Sequence, residues 1–241
     1  MSLLCLDCGN TRLKWGLNEA GNWLSQGAVA TTEIDSLFPV LAAQPRPARA
    51  IACNVAGPAA QAALLDLAEK LGVSIVFCAS RAQQCGVNNG YDEPLQLGAD
   101  RWAALIAAHS LQRSACLVVL AGTATTIDLL DAVGNYCGGL ILPGIAMMRA
   151  ALAGNTALLP AAGGSYRELP RNTADAIASG CLQATAGAIS RMYCHAEHGT
   201  CLISGGAASG LLPLLGLPHK QIDKLVLEGL VCMAQEEECL S

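Results

Sequence analysis

The hydrophobic pattern of the chain repeats itself. A short apolar run, Leu3-Leu4-Cys5-Leu6, leads into a small polar turn, Gly9-Asn10-Thr11. A second run, Cys116-Leu117-Val118-Val119-Leu120, leads into Gly122-Thr123. Each stretch continues through a mixed segment to a Gly-Asn-aromatic triplet, Gly21-Asn22-Trp23 and Gly134-Asn135-Tyr136. The spacing from Gly9 to Gly21 equals that from Gly122 to Gly134, and a fixed offset of this kind marks duplicated architecture. Each copy reads as strand, tight turn, strand, tight turn, strand. The apolar runs are short enough for buried strands, and Gly and Asn are the residues that tolerate turn conformations.

Beyond each triplet the period changes. Ala59 to Leu71 has apolar residues at helical spacing and stops at Gly72. Val73 to Cys78 reads as a strand and Asp100 to Leu111 as a helix. In the second half, Thr173 to Tyr193 reads as one or two helices around Gly180. Leu202-Ile203-Ser204 reads as a strand entering the Gly205-Gly206 turn, and Asp223 to Glu238 as a closing helix. Hairpin units followed by alternating helices and strands, given twice, predict an α/β protein of two duplicated domains, residues 1–114 and 115–241.

Composition narrows the class. Of 241 residues, 53% are hydrophobic and 14% charged, which excludes a disordered chain. The net charge of -5, the absence of a Lys/Arg cluster and an aromatic content of 4% argue against nucleic acid as a partner. The mean hydropathy of +0.41 raises the question of a membrane segment. The longest apolar runs fall well short of the ~20 residues a spanning helix needs. The opening MSLLCLDCGN, with Asp7 interrupting it and no basic residues before it, does not read as a signal peptide. A cytoplasmic enzyme without membrane attachment is expected. The 12 cysteines are then expected as reduced thiols. Cys5 and Cys8 form a CxxC, but residues three apart on a strand face opposite ways and cannot chelate together. Cys194, His195, His198 and Cys201 are denser, yet complete no zinc frame, and read as a helix end with a loop.

The turns are the candidate chemistry. If the halves are related by a pseudo-twofold, Gly9-Asn10-Thr11 and Gly122-Thr123 face each other across a cleft. Backbone N–H groups and hydroxyls with no bulky side chain between them and a ligand suit phosphate oxygens. Asp7, just before the first turn, is placed to hold hydrated Mg²⁺, and Lys14 adds positive charge nearby. The third turn, Ser204-Gly205-Gly206-Ala207-Ala208, offers flat backbone to an adenine or ribose. Taken singly, each of these is also what an ordinary hairpin turn looks like. Asp100 and Thr173 each stand at the start of a helical pattern, where capping and first-turn roles are the ordinary explanation.

Several motifs distributed along the chain resemble those of the type III pantothenate kinases, within the actin/Hsp70/sugar-kinase-like superfamily. They are Asp7-x-Gly9-Asn10-Thr11 with Arg12-Leu13-Lys14, then Tyr91-Asp92-Glu93-Pro94-Leu95-Gln96-Leu97-Gly98-Ala99-Asp100-Arg101. Gly122-Thr123-Ala124-Thr125-Thr126-x-Asp128, Gly138-Gly139 through Pro143-Gly144, Asn172-Thr173 with Gly180, and Ser204-Gly205-Gly206 complete the set. The Leu-Gly-x-Asp-Arg segment is the most specific. The resemblance implies two ribonuclease-H-like (actin-like ATPase) domains with a cleft between them, and transfer of the ATP γ-phosphate to the primary hydroxyl of pantothenate. It implies Asp100 as general base, with Tyr91, Gly98, Ala99, Arg101 and Thr173 at the substrate, Thr173 from the neighbouring subunit of a homodimer. The apolar stretch Leu140 to Met148 suits such an interface. The resemblance assigns ATP to Asp7, Gly9, Asn10, Thr11, Arg12, Leu13 and Lys14, to Gly122, Thr123, Ala124 and Thr125, and to Gly205 and Gly206. Asp7 also serves Mg²⁺.

Two positions depart from the family pattern. Leu120 stands where relatives carry the Asp of an Asp-x-Gly-Thr turn, which belongs to a monovalent cation (K⁺ or NH₄⁺) site, so altered K⁺ dependence is expected. Ala207 stands where relatives often carry an acid, which weakens the expected adenosine contact. Two other functions remain open on sequence alone. One is a non-catalytic transcriptional accessory factor; the other is a kinase for another small hydroxylated metabolite.

Overall fold

The computed structural model describes residues 2–155, 163–196 and 199–240. The chain begins with β1 (Ser2–Cys8), β2 (Arg12–Glu19) and β3 (Asn22–Ala30), followed by a 3-10 turn and the short α1 (Leu37–Ala42). β4 (Arg49–Asn54), α2 (Pro58–Leu71) and β5 (Ser74–Phe77) come next, then a small hairpin of β6 (Gln83–Gln84) and β7 (Val87–Asn88), and α3 (Ala99–Leu111). The second copy runs β8 (Cys116–Ala121), β9 (Ala124–Leu130), β10 (Tyr136–Pro143), α4 (Ile145–Asn155), α5 (Thr173–Tyr193), β11 (Thr200–Ser204), the one-turn α6 (Ala208–Leu211) and β12 (His219–Gln221). α7 (Leu225–Leu240) closes the chain.

The two sheets share one topology. Their strand orders are β3-β2-β1-β4-β5 and β10-β9-β8-β11-β12. In each, the first three strands form an antiparallel meander and the last two run parallel to the first. The duplication read from the glycine spacing is therefore real, although different turns satisfy it. The β2–β3 turn is tight, with Ala20 and Gly21 at φ of 49° and 85°. Its counterpart spans residues 131–135 and is organised by Asp131, whose Oδ1 accepts the N–H groups of Val133 and Asn135. Asn22 is already the first residue of β3 rather than part of a turn.

The chain divides into two compact units, Met1–Gln112 with Lys224–Ser241, and Arg113–Asp223. This differs from the expected division at 114/115, because the closing helix packs with the first unit. Every residue of β1 is buried, so that strand needs cover on both faces. One face, carrying Leu4, Leu6 and Cys8, packs with Leu37, Leu41, Leu64 and Leu67 from α1 and α2. α7 and α3 cover the other, where α7 also contacts β2 and β4. Trp23 Nε1 donates to Glu228 at 2.7 Å and Arg49 Nη2 to the Ala234 carbonyl at 2.6 Å, which fixes the helix in place. The second unit has its own core around Leu117, Val119, Ile127, Ile189 and Ile203.

Thr173–Tyr193 is one continuous helix, with Gly180 inside it. Cys8 faces the α1/α2 core and Cys5 does not, which confirms that the CxxC is split across the sheet. All twelve cysteines are free thiols. His198 lies outside the described residues. Of its companions, Cys194 and His195 are exposed at the end of α5, whereas Cys201 is buried in β11. Among the described residues, no three His, Cys, Asp or Glu side chains converge on a metal position, and no helix is long and apolar enough to cross a membrane.

α3 and α7 approach too closely at Gly229 for any side chain, since a Cβ there would lie 1.9 Å from the Ala103 carbonyl oxygen. Gly229→Ala is expected to lower unfolding stability by about 2 kcal/mol or more, the scale of an overpacked core. Gly216→Ala, with nothing within 4 Å of the new methyl, should change it by less than about 0.5 kcal/mol. Urea unfolding of both variants measures the difference.

Candidate active site

In the first unit the site begins at the end of β1. Strand alternation turns Asp7 away from the α1/α2 core, and pairing sets it directly between Lys14 of β2 and Cys53 of β4. Asp7 is buried, its side chain 10% exposed, and Lys14 is its ion-pair partner, with Nζ 3.6 Å from Oδ2. Burial pushes the Asp7 carboxyl up to about 6; Lys14 pulls it back and the charge of Asp100 raises it further. Asp7 and Asp100 thus lie within each other's field, and Lys14 is the cation that offsets the charge of Asp7.

The turn that follows is compact. Gly9 N–H donates to the Arg12 carbonyl at 3.1 Å, and Thr31 anchors the turn by donating its hydroxyl to the Gly9 carbonyl at 2.6 Å. Asn10, Thr11 and Arg12 are exposed, and Lys14 is half-buried. Leu13 is fully buried in the core, so only its backbone is available to a ligand.

Asp100 lies in the first turn of α3, whose N-cap is Gly98. Its Oδ1 accepts the Arg101 N–H at 2.8 Å. A Cβ at residue 98 would lie 2.7 Å from that same oxygen, so glycine at 98 makes room for the carboxylate. Arg101 is 4% exposed. Its Nη1 donates to the Tyr91 hydroxyl at 2.8 Å, and its guanidinium lies 5.6 Å from the centre of the Tyr91 ring. Tyr91, Gly98, Ala99, Asp100 and Arg101 are therefore brought together at the head of one helix.

Two side chains absent from the sequence reading hold this segment. Asn89 Nδ2 donates to the carbonyls of Arg81 and Pro94, each at 3.1 Å, and its Oδ1 accepts the Tyr91 N–H at 3.0 Å. The buried Ser80 donates to the Leu97 carbonyl at 2.6 Å, just before Gly98. The sequence signal that could have found Asn89 is its place two residues before Tyr91, where an Asn side chain commonly caps a turn.

In the second unit the corresponding turn is Gly122-Thr123, exposed together with Ala124. Other backbone packs directly on it. A Cβ at Gly144 would lie 2.3 Å from the Gly122 carbonyl oxygen, and one at Gly205 would lie 2.4 Å from that of Ala121. Ala207 N–H donates to the same Ala121 carbonyl at 3.1 Å, so the Gly205-Gly206 turn is tied to the end of β8. Gly206 is exposed, whereas Thr125 is fully buried. Leu120 is the direct cross-strand partner of Thr126, whose buried hydroxyl has no hydrogen-bond partner among the described residues. Thr173 is the first residue of α5, and the cap is Asn172, whose Oδ1 accepts the Asp175 N–H at 2.9 Å. Thr173 lines an apolar groove of about 800 Å³ between α4 and α5, with Met147, Leu152, Ile177 and Cys181. α4 is a helix the sequence pattern does not announce; only its first turn falls within the apolar stretch Leu140 to Met148.

A protein-family model described as type III pantothenate kinase matches residues 3–195. A type III pantothenate kinase of Aromatoleum aromaticum is 50% identical over 238 residues, covering 98% of each chain. Among solved structures, a candidate Baf family transcriptional activator from Campylobacter jejuni superposes with a TM-score of 0.66 at 19% identity, covering 98% of this chain and 99% of that one. A candidate 2-dehydro-3-deoxygalactonokinase from Sinorhizobium meliloti gives 0.63 at 18% identity, covering 97% and 98%. At those identities the two structures speak for the fold alone, the actin-like and sugar-kinase-like ATPase fold.

The burial of Asp7 has a consequence for stability. The folded chain holds a proton on Asp7 up to about pH 6, whereas an unfolded Asp ionises near pH ~4. Between those values the folded state binds the extra proton, so the Asp7 contribution to stability falls as pH rises and stays low above the window. Asp7→Asn is expected to match the parent near pH 4 and to exceed it above pH 6 by up to roughly 3 kcal/mol. Urea unfolding of both proteins across that range tests this; a constant difference would contradict it.

Proposed function

The chain belongs to the type III pantothenate kinase family, and we propose that it performs the family's reaction with the acid at the head of α3. ATP and pantothenate are converted to ADP and 4'-phosphopantothenate, the first step toward coenzyme A. The observation that carries this reading is the Asp100 carboxylate, seated over Gly98 and beside the Arg101–Tyr91 pair. In the proposed mechanism Asp100 accepts the proton of the primary hydroxyl as its oxygen attacks the γ-phosphorus and the bond to the ADP oxygen breaks. Arg101 suits the carboxylate of pantothenate, because a guanidinium offers a fork of donors to a planar anion. Tyr91, Gly98 and Ala99 complete that end of the substrate site.

In the exposed turns of each unit the Gly9 and Gly122 N–H groups are held by the Arg12 and Ala124 carbonyls, so the backbone beyond each glycine and the Thr11 and Thr123 side chains are what would meet phosphate oxygens, and Gly205-Gly206 offers open backbone to the nucleoside. Lys14 supplies positive charge. The Asp7 site fits Mg²⁺: it is a hard oxygen donor beside a second carboxylate, carrying more negative charge than burial tolerates. Mg²⁺ bound there would neutralise charge on the phosphates. The position of Leu120 does not fit a monovalent cation, since it presents hydrocarbon next to the lone Thr126 hydroxyl.

The apolar groove between α4 and α5 supports a homodimer. Met147 and Leu152 of its lining are exposed at 46% and 38%, and a second copy seated on this face would cover them. Thr173, on the groove's wall, is then at the interface, where it can serve the partner's substrate. A cytoplasmic location follows from the substrates. The accessory-factor alternative is not favoured, because a regulator that only binds has no use for a spatially assembled Asp100, Arg101 and Tyr91.

ATP turnover with pantothenate tests the reading. Asp100→Asn is expected to lower kcat by more than ~10²-fold with urea stability unchanged; a full rate would remove Asp100 from the mechanism, and turnover of a sugar panel without pantothenate turnover would replace the substrate. A K⁺ titration of the parent enzyme should give a nearly flat response, and steep activation by K⁺ would contradict the reading of Leu120.

A further inference from the structure

The register of the first sheet builds a row of side chains on the face that carries Asp7. Lys14, Asp7 and Cys53 are direct partners across β2, β1 and β4, and directly opposed residues point to the same side. β4 and β5 run parallel with Ala52 opposite Phe77. The pairing extends one step further, because Cys78 N–H donates to the Ala52 carbonyl at 2.8 Å. Cys78 therefore follows Cys53 in the row, and the register places the two thiols side by side on neighbouring strands. Cys53 is completely buried, whereas Cys78 is only half-buried. Both Asp7 and Asp100 act electrostatically on Cys53. The mechanism uses neither thiol.

We propose that Cys53 and Cys78 are an oxidative modification site: a dithiol that a hydroperoxide converts to a reversible disulfide, lowering the activity of the carboxylate site it adjoins. Neighbouring strands lie ~4.8 Å apart, inside the ~4.4–6.8 Å separation of α-carbons that a disulfide spans. The Cys78 sulfur attacks a peroxide oxygen, the O–O bond breaks, and the products are a sulfenic acid on Cys78 and one water, or an alcohol from an organic peroxide. The Cys53 sulfur then attacks the sulfenic sulfur. The S–S bond forms, the S–O bond breaks, and the departing oxygen leaves as water with the Cys53 proton. The two sulfurs lose two electrons and the peroxide gains them. A small thiol reductant reverses the change by exchange. Bonded sulfurs lie ~2 Å apart, closer than any unbonded pair, so closure re-aims both side chains and displaces the direct neighbour of Asp7. Displacements of this size at a reacting centre are costly for phosphoryl transfer.

The inference rests on the kinase reading for its effect on activity, but the linkage itself is read independently. The reduced full-length protein is treated with hydrogen peroxide, alkylated, digested and mapped by mass spectrometry, with ATP-dependent pantothenate phosphorylation followed in parallel. The expected result is a Cys53–Cys78 linked peptide, a fall in activity of tenfold or more, and recovery with dithiothreitol. Cys78→Ser should keep the reduced enzyme's activity and lose its sensitivity to peroxide; it alters the half-buried partner and leaves the buried Cys53 in place. Linkage elsewhere, for example between Cys85 and its neighbour Cys232, would overturn the proposal. So would a Cys53–Cys78 linkage with activity unchanged, or a Cys78→Ser enzyme as sensitive as the parent. A reduced protein that does not phosphorylate pantothenate would defeat the kinase reading instead, and the peptide map would still decide whether the dithiol is the site of oxidation.

Discussion

A carboxylate held at the buried end of a central strand is the constraint on which this structure depends. β1 is covered on both faces, so whatever its last residues present is presented in a largely water-free setting. Asp7 there has Lys14 beside it and Asp100 within its field, and burial alone makes its charge expensive. A hydrophobic residue would be easier to accommodate at that position. The arrangement makes physical sense when a cation and phosphate groups complete it, which is the situation a phosphotransferase creates when its nucleotide arrives.

The same strand explains the division of the chain. A sheet with two apolar faces needs two layers of cover, and α3 alone leaves the second layer of the first unit incomplete. α7 supplies it, so the C-terminal residues return to the N-terminal unit. This could not be seen in the periodicity of Leu225–Leu240, which shows that a helix forms but not which sheet it covers. The repeat itself was legible, because Gly21 and Gly134 at its matching turns both take a positive φ that few other residues adopt. β4 was not: Arg-Ala-Ile-Ala-Cys-Asn is short and built from small side chains, and its strand character comes from pairing with β1 and β5. α4 was hidden for a related reason, since its apolar residues surround much of the helix and give no clear polar face.

Much of the candidate site was legible as motif, and less of it as geometry. The segment from Tyr91 to Arg101 does assemble at one helix end, but what holds it there, Asn89 and Ser80, works through backbone carbonyls that no local pattern announces. Leu13 and Thr125 lie inside their units, so their place in the motifs reflects packing and backbone position. Thr173 is the first helical residue while Asn172 does the capping, which leaves the threonine hydroxyl available at the groove.

The most direct measurement of the central claim is a carbon-13 NMR titration of carboxylate-labelled protein, with Asp7 assigned by comparison with Asp7→Asn. Asp7 is expected to titrate with a midpoint near 6 in the free protein, moving downward when Mg²⁺ and a nucleotide are added. A midpoint at the ordinary carboxylate value of ~4, indifferent to both additions, would contradict it.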